Sequence, residues 1–271
     1  MPELPEVESI VRCLSASIKG QRVSKVAVHR PDILANTDRE HLCKHLQRQS
    51  LQGICRRGKY IVMEFGNGCR LVSHLRMSGL YRFLGKDEDV PYLRLWFELE
   101  NGCRLGYIDK RALGRIWLYL PGEELAVLSG LGPEPLDQKF TLKLFRHLSG
   151  KYKRPIKPLL LDQNFIAGIG NIYASEILCR AGIAPARQSG SLTPNETSRL
   201  YKVIRGVLRQ AIIHKGTHIS DYDTPDGGGG RFVNLLKVYR KAGEICPRCG
   251  NTIQRIVQQQ RSTYWCPGCQ L

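Results

Sequence analysis

Pro2 and Glu3 stand in the opening run Met1-Pro2-Glu3-Leu4-Pro5-Glu6. Trimming of an initiator Met leaves this run with a secondary amine at its end, beside a carboxylate. An α-amino group titrates at about 7.7–8.0, against about 10.4 for lysine, so near neutral pH far more of it is free to attack an electrophilic carbon. Two readings stand side by side. In one, Pro2 is a nucleophile with Glu3 as its proton-handling neighbour. In the other, which the hexapeptide alone favours, the prolines only stiffen a lead-in, and Pro5 sits at the first helical turn, where its missing N–H costs nothing.

Further candidates lie along the chain. Lys59 follows Arg56-Arg57-Gly58 and opens a predicted strand, and Lys157 closes Lys153-Arg154-Pro155-Ile156-Lys157. Each fits an ordinary solvated basic face, and as a set they fit a protein that tracks a phosphate backbone. In His74-Leu75-Arg76-Met77-Ser78-Gly79, Met77 is either core filler or an apolar wedge for the gap left when a base is extruded. The turn Asp109-Lys110-Arg111-Ala112-Leu113-Gly114 offers Arg111 to an orphaned base and Leu113 as a second wedge. Gly168-Ile169-Gly170-Asn171-Ile172-Tyr173 joins two predicted helices, with Asn171 as the expected N-cap. It is either a plain helical hairpin or a phosphate cradle.

Four of the ten cysteines form two CxxC pairs, Cys246/Cys249 and Cys266/Cys269. This spacing is a strong signature of a structural zinc site, and four thiolate ligands leave no open position for water. Arg261 lies between the pairs, on a small metal-stapled hairpin suited to phosphate or minor-groove contact. Cys13, Cys43, Cys55, Cys69, Cys103 and Cys179 are scattered singly and read as reduced thiols.

Elements must position these groups. Val7, Ile10, Val11, Leu14 and Ile18 at helical spacing, with Gly20 as a stop, predict an amphipathic helix from near Pro5. It anchors the terminus, and its first-turn N–H groups put positive potential around Glu3 and Glu6. Short alternating segments at 22–29, 59–65, 70–74, 93–99, 104–108 and 115–120 predict strands, with turns at Gly66-Asn67-Gly68 and Asn101-Gly102 and a helix over 39–48. Their spacing suggests an antiparallel sandwich or barrel. After the Gly/Pro-rich run 130–136, read as an interdomain connection, helices are expected from Asn171 to near Gly182 and from the capping box Thr193-Pro194-Asn195-Glu196 to Lys215. Residues 220–231, with Asp221, Asp223, Asp226 and Gly227 to Gly230, read as a mobile loop.

At 271 residues the chain points to more than one domain. A net charge of +17 and a pI near 9.6 call for a polyanionic partner, nucleic acid first and an anionic membrane surface second. No apolar run approaches the roughly 20 residues of a bilayer span, and no signal-peptide layout is present, which favours an intracellular protein.

Together these residues resemble the formamidopyrimidine-DNA glycosylase family of bacterial base-excision repair, which includes the endonuclease VIII branch. The resemblance spans the chain and rests on PELPEVE, RRGKY around Lys59, HLRMSG around Met77, LGPEPL at 131–136, IKP around Lys157, GIGNIYASE at 168–176 and the CxxC pairs. It implies Pro2 as nucleophile, Glu3 as its acid/base partner, Glu6 as a supporting carboxylate and Lys59 as an essential lysine. It implies that His74, Asn171 and Arg261 grip phosphates, that Tyr173 belongs to the DNA-contacting run, that Lys157 lies near the damaged base, and that Met77 and Arg111 enter the gap.

The implied architecture is α+β and multidomain. A β-sandwich with flanking helices spans 1–130, a helical domain with a helix–two-turn–helix spans 131–240, and a zinc-finger hairpin spans 241–271. The implied activity is excision of oxidised purines with strand cleavage by a cytoplasmic bacterial monomer. Its partner is damaged double-stranded DNA, it carries one structural zinc, and it needs no membrane and no small-molecule cofactor. Two features depart from the purine branch. Leu113 stands where Phe is usual, and Val90-Pro-Tyr-Leu-Arg94 replaces a His-rich segment, so that one grip on a phosphate is either missing or supplied by Arg94. PELPE, against PEGPE, favours the formamidopyrimidine branch. An enzyme for oxidised pyrimidines and a non-catalytic lesion-binding protein remain the rivals.

Overall fold

Leu4, Val7, Ile10, Leu14 and Ile18 share one helical face, and α1 (Leu4–Ile18) buries all of them. The computed structural model describes residues 1–86, 88–217 and 224–271. They divide into two units, Met1–Ser129 with His214–Arg231, and Gly130–Ile213 with Phe232–Leu271.

In the first unit, α1 is followed by β1 (Val23–Val28), α2 (Arg39–Leu46), β2 (Leu51–Arg57), β3 (Tyr60–Phe65), β4 (Arg70–His74), β5 (Gly79–Leu84), β6 (Leu93–Leu99), β7 (Arg104–Asp109), β8 (Arg115–Tyr119) and the short α3 (Ala126–Ser129). Two four-stranded antiparallel sheets result, ordered β1-β6-β7-β5 and β2-β3-β4-β8. The two-residue side-chain period sorts them into layers. Ile61, Met63 and Phe65 of β3, Ile116 and Leu118 of β8, Val26 and Val28 of β1 and Leu95 and Phe97 of β6 enter one core with the apolar faces of α1 and α2. Val62, Val72 and Tyr119 point to the other face, where Val127 and Leu128 of α3 cover them. The sandwich is therefore as expected, with two strands more than the sequence pattern predicts. Both additions, β2 and β5, are edge strands. An edge tolerates Gly53 or Arg82 and needs no clean alternation.

The second unit holds α4 (Leu142–Gly150), α5 (Ile156–Leu161), α6 (Asn171–Ala181), α7 (Pro194–Ile213) and the hairpin β9 (Gln254–Gln258) and β10 (Arg261–Trp265). Phe145 packs against Phe140, Phe165 and Tyr201 at the centre of the helices. α7 starts on the expected capping box. The Thr193 N–H donates to Glu196 Oε2 at 2.8 Å, and the Glu196 N–H donates back to Thr193 Oγ1 at 3.2 Å. The run at 131–136 folds onto the turn between α5 and α6. The Gly132 N–H donates to the Gln163 carbonyl at 2.8 Å, and a Cβ at Gly132 would lie 2.5 Å from the Asn164 carbonyl oxygen, so only glycine fits. Of the described residues, no helix is long and apolar enough to cross a membrane.

Candidate active site

In the first unit, Glu3 and Glu6 are 3 % and 2 % exposed at the start of α1, and Pro2 is buried beside them. Glu6 occupies the third helical position, and its Oε2 accepts the Glu3 N–H at 2.9 Å, which closes the first turn. Its Oε1 turns the other way and accepts both the backbone N–H and the hydroxyl of Thr217. Gly216 makes that approach possible, because a Cβ there would lie 2.5 Å from Glu6 Oε1, and its φ of +80° is one that side chains avoid. Thr217 in turn bridges Arg231, and the Arg231 N–H donates to the His214 carbonyl at 2.8 Å. The glycine-rich segment is thus closed at its base beside the N-terminus. Gly227 to Gly230 lie within the described residues. Asp221 and Asp223, read above as part of a mobile loop, lie outside them.

Lys59 is 6 % exposed. It does not open β3 as expected but sits in the two-residue turn Gly58-Lys59, because β2 pairs with β3 up to Arg57↔Tyr60 and Gly58 supplies a positive φ of 56°. Arg56 fixes this turn to α1 by donating to Glu8 at 2.9 Å and to the Gly58 carbonyl at 3.1 Å. Burial pushes the Glu8 carboxyl up, but the hydrogen bonds from Arg12 and Arg56 outweigh it and hold the group below the ordinary carboxylate range. Glu8, the acceptor in this brace, lies beyond the residues that the sequence singles out.

His74 is buried at the end of β4, edge-on to Tyr60. Burial, with Arg76 and Lys59 nearby, pushes its pKa down to about 3. Its Nδ1 accepts the Arg76 N–H at 3.0 Å, which leaves the ring proton on Nε2 and makes that atom a neutral donor suited to a phosphate oxygen. Just beyond, Arg76 takes a left-handed φ of 53° and turns Met77 outward to 51 % exposure. Arg111 Nη1 reaches Met77 Sδ at 3.5 Å, and Leu113 is 38 % exposed. Two of the three residues expected to fill a vacated stack, Met77 and Arg111, thus meet at the surface of this unit, and Leu113 is exposed on the same turn as Arg111.

What holds them is Asp109, fully buried. Its Oδ1 accepts Ser78 Oγ at 2.5 Å and the Arg111 N–H at 3.2 Å, and its Oδ2 accepts the Gly114 N–H at 2.7 Å. An Asp opening a glycine-ended turn is the signal that finds such a residue, since its side chain caps the turn's own N–H groups. Arg94 donates to the Asp109 and Lys110 carbonyls at 2.7 and 3.4 Å, so this buried guanidinium braces the turn rather than standing at the surface for a phosphate.

In the second unit one expectation needs correction, and two of the expected site residues are buried. Asn171 is the first residue of α6 and not its N-cap; the extended Gly170 holds that place. The Asn171 side chain is drawn instead to Lys157 Nζ, whose proton its Oδ1 accepts at 2.6 Å, and to the Ser262 carbonyl, to which its Nδ2 donates at 2.9 Å. Lys157 is 0 % exposed and also donates to Thr263 Oγ1 at 2.8 Å, so its ammonium ties α5, α6 and β10 together. Tyr173, carried over as a DNA contact, is also 0 % exposed and stacks on Phe232, because the inward face of α6 buries it. Arg261 is the first residue of β10. It is exposed directly after the turn Gln259-Gln260, whose φ values of 46° and 58° are those of the tight hairpin turn matched to strand twist.

The four cysteine sulfurs lie within 4.8 Å of one another, with Cys246–Cys269 at 3.8 Å and Cys249–Cys266 at 3.4 Å. Zinc–thiolate bonds of about 2.3 Å make the edges of a tetrahedron about 3.8 Å, so the set fits one structural zinc ion. A family model, "Zinc finger found in FPG and IleRS", matches residues 243–271. Two others, "Formamidopyrimidine-DNA glycosylase N-terminal domain" and "Formamidopyrimidine-DNA glycosylase H2TH domain", match residues 1–116 and 131–223. The chain belongs to the formamidopyrimidine-DNA glycosylase family.

Among formamidopyrimidine-DNA glycosylases, the protein of Pelotomaculum thermopropionicum is 40 % identical, with 100 % of this chain and 99 % of the relative covered. That of Lactiplantibacillus plantarum is 42 % identical, with 98 % of each covered. A crystal structure of a Lactococcus lactis FPG variant with Fapy-dG-containing DNA superposes with a TM-score of 0.93 at 38 % identity, covering 99 % of both chains. A structure of MutM with DNA containing carbocyclic 8-oxo-G gives 0.92 at 38 % identity, again covering 99 % of both.

Proposed function

We propose that this chain is a bifunctional DNA glycosylase and AP lyase of base-excision repair that removes oxidised purines from duplex DNA. The full-length family match supports the glycosylase class, and the Fapy-dG and 8-oxo-G in the DNA of the similar structures support the purine substrate. The observation that carries the catalytic reading is the pair of carboxylates buried at the start of α1, immediately after Pro2. Burial of two acids is costly, and a core has no need of it.

In this reading the Pro2 nitrogen of the Met-trimmed chain attacks C1′ of a flipped nucleotide. The N–C1′ bond forms as the glycosidic bond breaks, and the base leaves with a proton. Sugar-ring opening gives an iminium, which acidifies the neighbouring C–H. Loss of the C2′ proton expels the 3′ phosphate, loss of the C4′ proton then expels the 5′ phosphate, and hydrolysis returns the amine. Glu3 moves these protons, Glu6 fixes the helix start, and Lys59 supplies positive charge. His74, Asn171 and Arg261 take phosphates, while Met77, Arg111 and Leu113 occupy the vacated stack. Zinc stays structural. The division 1–130, 131–240 and 241–271, monomeric action and a cytoplasmic bacterial location belong to the same reading.

The test is borohydride trapping on 8-oxoguanine duplex, with the N-terminus established by mass spectrometry. The trimmed protein forms a covalent adduct, and Pro2→Gly or retention of Met1 abolishes it. Absence of an adduct from trimmed wild-type protein on purine and pyrimidine lesions alike refutes the lyase. Leu113, in place of the usual Phe, favours a second substrate reading, oxidised pyrimidines, and paired cleavage assays on the two lesion classes decide it.

A further inference from the structure

The outward face of α7 carries a feature that excision of a base does not use. Lys202, Gly206, Arg209 and Ile213 follow at i, i+4, i+7 and i+11, so they form one stripe along the helix, and all four are exposed. Ile213 is 77 % exposed. With Val203 and Val207 these residues line an open groove of ≈ 600 Å³. Arg180 at its rim is engaged with Gln210 and the Leu235 carbonyl. Lys202 and Arg209 make no hydrogen bond or ion pair among the described residues.

Gly206 is the second, independent observation. It lies inside a 20-residue helix, where glycine is the least favourable residue after proline. Its backbone does not require it, and a Cβ built on it meets nothing within 4 Å. Neither the fold of this unit nor its backbone geometry accounts for the missing side chain. A notch in the floor of an apolar groove does account for it, because a glycine lets a partner's bulky side chain or backbone come close.

We infer that this groove docks an acidic protein segment, one bearing a bulky apolar residue that seats over Gly206 between Val203, Val207 and Ile213, with its carboxylates paired to Lys202 and Arg209. The apolar floor argues against nucleic acid, whose phosphates gain nothing from valine and isoleucine, and the two cations set the sign of the partner's charge. This inference is independent of the glycosylase reading.

A fluorescein-labelled helical peptide, with glutamates on one face and leucine and phenylalanine on the other, serves as probe for the full zinc-loaded chain. Saturable anisotropy is expected, with amide shifts confined to α7 and the end of α6. Gly206→Leu, which fills the notch, and Arg209→Glu should each weaken binding by about tenfold or more. Lesion cleavage should be unchanged, and the Gly206→Leu melting temperature no lower than that of the wild type. A lysine-for-glutamate version of the peptide should not bind. The inference is overturned if the acidic peptide fails to bind at millimolar concentration, if Gly206→Leu binds it as the wild type does, or if either substitution weakens damaged-duplex binding instead.

Discussion

Glu6 Oε1 accepts two hydrogen bonds from Thr217, the backbone N–H at 2.7 Å and the hydroxyl at 3.0 Å, across 211 positions of sequence. The other oxygen of the same carboxylate holds the Glu3 N–H. One side chain therefore sets both the entry to α1 and the base of the glycine-rich segment.

Replacing Glu6 by Gln should show this. A carboxamide has one acceptor oxygen, so its NH2 must face either Glu3 N–H or the Thr217 donors, leaving a buried donor unmet at a cost of about 1–3 kcal/mol. Thr217→Val removes only the hydroxyl and should cost about 1 kcal/mol. Denaturant unfolding, with trapping yields on lesion DNA, should rank Glu6→Gln below Thr217→Val in both readouts. The reverse order would show that the carboxylate does not hold the two segments together.

His74 gives the chain a pH-dependent stability. Its imidazole titrates near 6.5 when unfolded and at about 3 when folded. The unfolded chain therefore binds the proton more readily, and the stabilisation is complete above about pH 6.5 and lost as pH falls towards 3. Between about pH 6.5 and 5 this single group should remove up to about 2 kcal/mol. Urea unfolding across that range should show the slope, and His74→Gln should flatten it; an unchanged slope would assign it to other groups.

Asp109→Ala strips the acceptor from the Ser78 hydroxyl and the Gly114 N–H, and leaves the Arg111 N–H with Ser78 Oγ alone. A loss of about 2–4 kcal/mol is expected from such unmet buried donors. The functional signature is selective. Excision from duplex, which needs Met77 and Arg111 in place, should fall much more than cleavage at a pre-formed abasic site in single-stranded DNA. Equal loss on both substrates would point to general unfolding.

Zinc removal by a strong chelator should free the hairpin of β9 and β10. Hydrogen exchange would then rise in the hairpin and, because Thr263 and Ser262 partner Lys157 and Asn171, at the start of α6 as well. Exchange confined to residues 246–271 would show that this tie carries no coupling.

The sandwich and helices were legible because their signals are local: short apolar runs in β3 and β8, the Thr193 capping box, and the stop at Gly182, which takes a φ of 66°. β2 and β5 carry no such signal, because Gly53, Arg56 and Arg57 interrupt the first and Arg82 the second, whereas β1 and β8, edge strands as well, keep their apolar runs. At the site, residue types were readable but burial was not. Lys157 and Tyr173 stand in recognisable motifs, yet whether such a side chain faces a ligand or the core depends on neighbours far away in sequence, here Thr263 and Phe232. Thr217 escaped notice for the same reason, as its partner Glu6 belongs to another segment, whereas Asp109 caps its own turn and was readable in kind if not in burial.

The buried Lys157 also bears on how this chain can change over evolution. A zinc hairpin of a kind found in an unrelated enzyme class looks transferable, a cassette to be gained or shed at a terminus. Here its Thr263 and Ser262 help to satisfy an ammonium that has no access to water. Deleting the cassette would take away two of that ammonium's partners and uncover the ends of α5 and α6 beneath it, so the hairpin cannot leave without disturbing the helices. That tie makes an apparently detachable module part of the helical unit's own core.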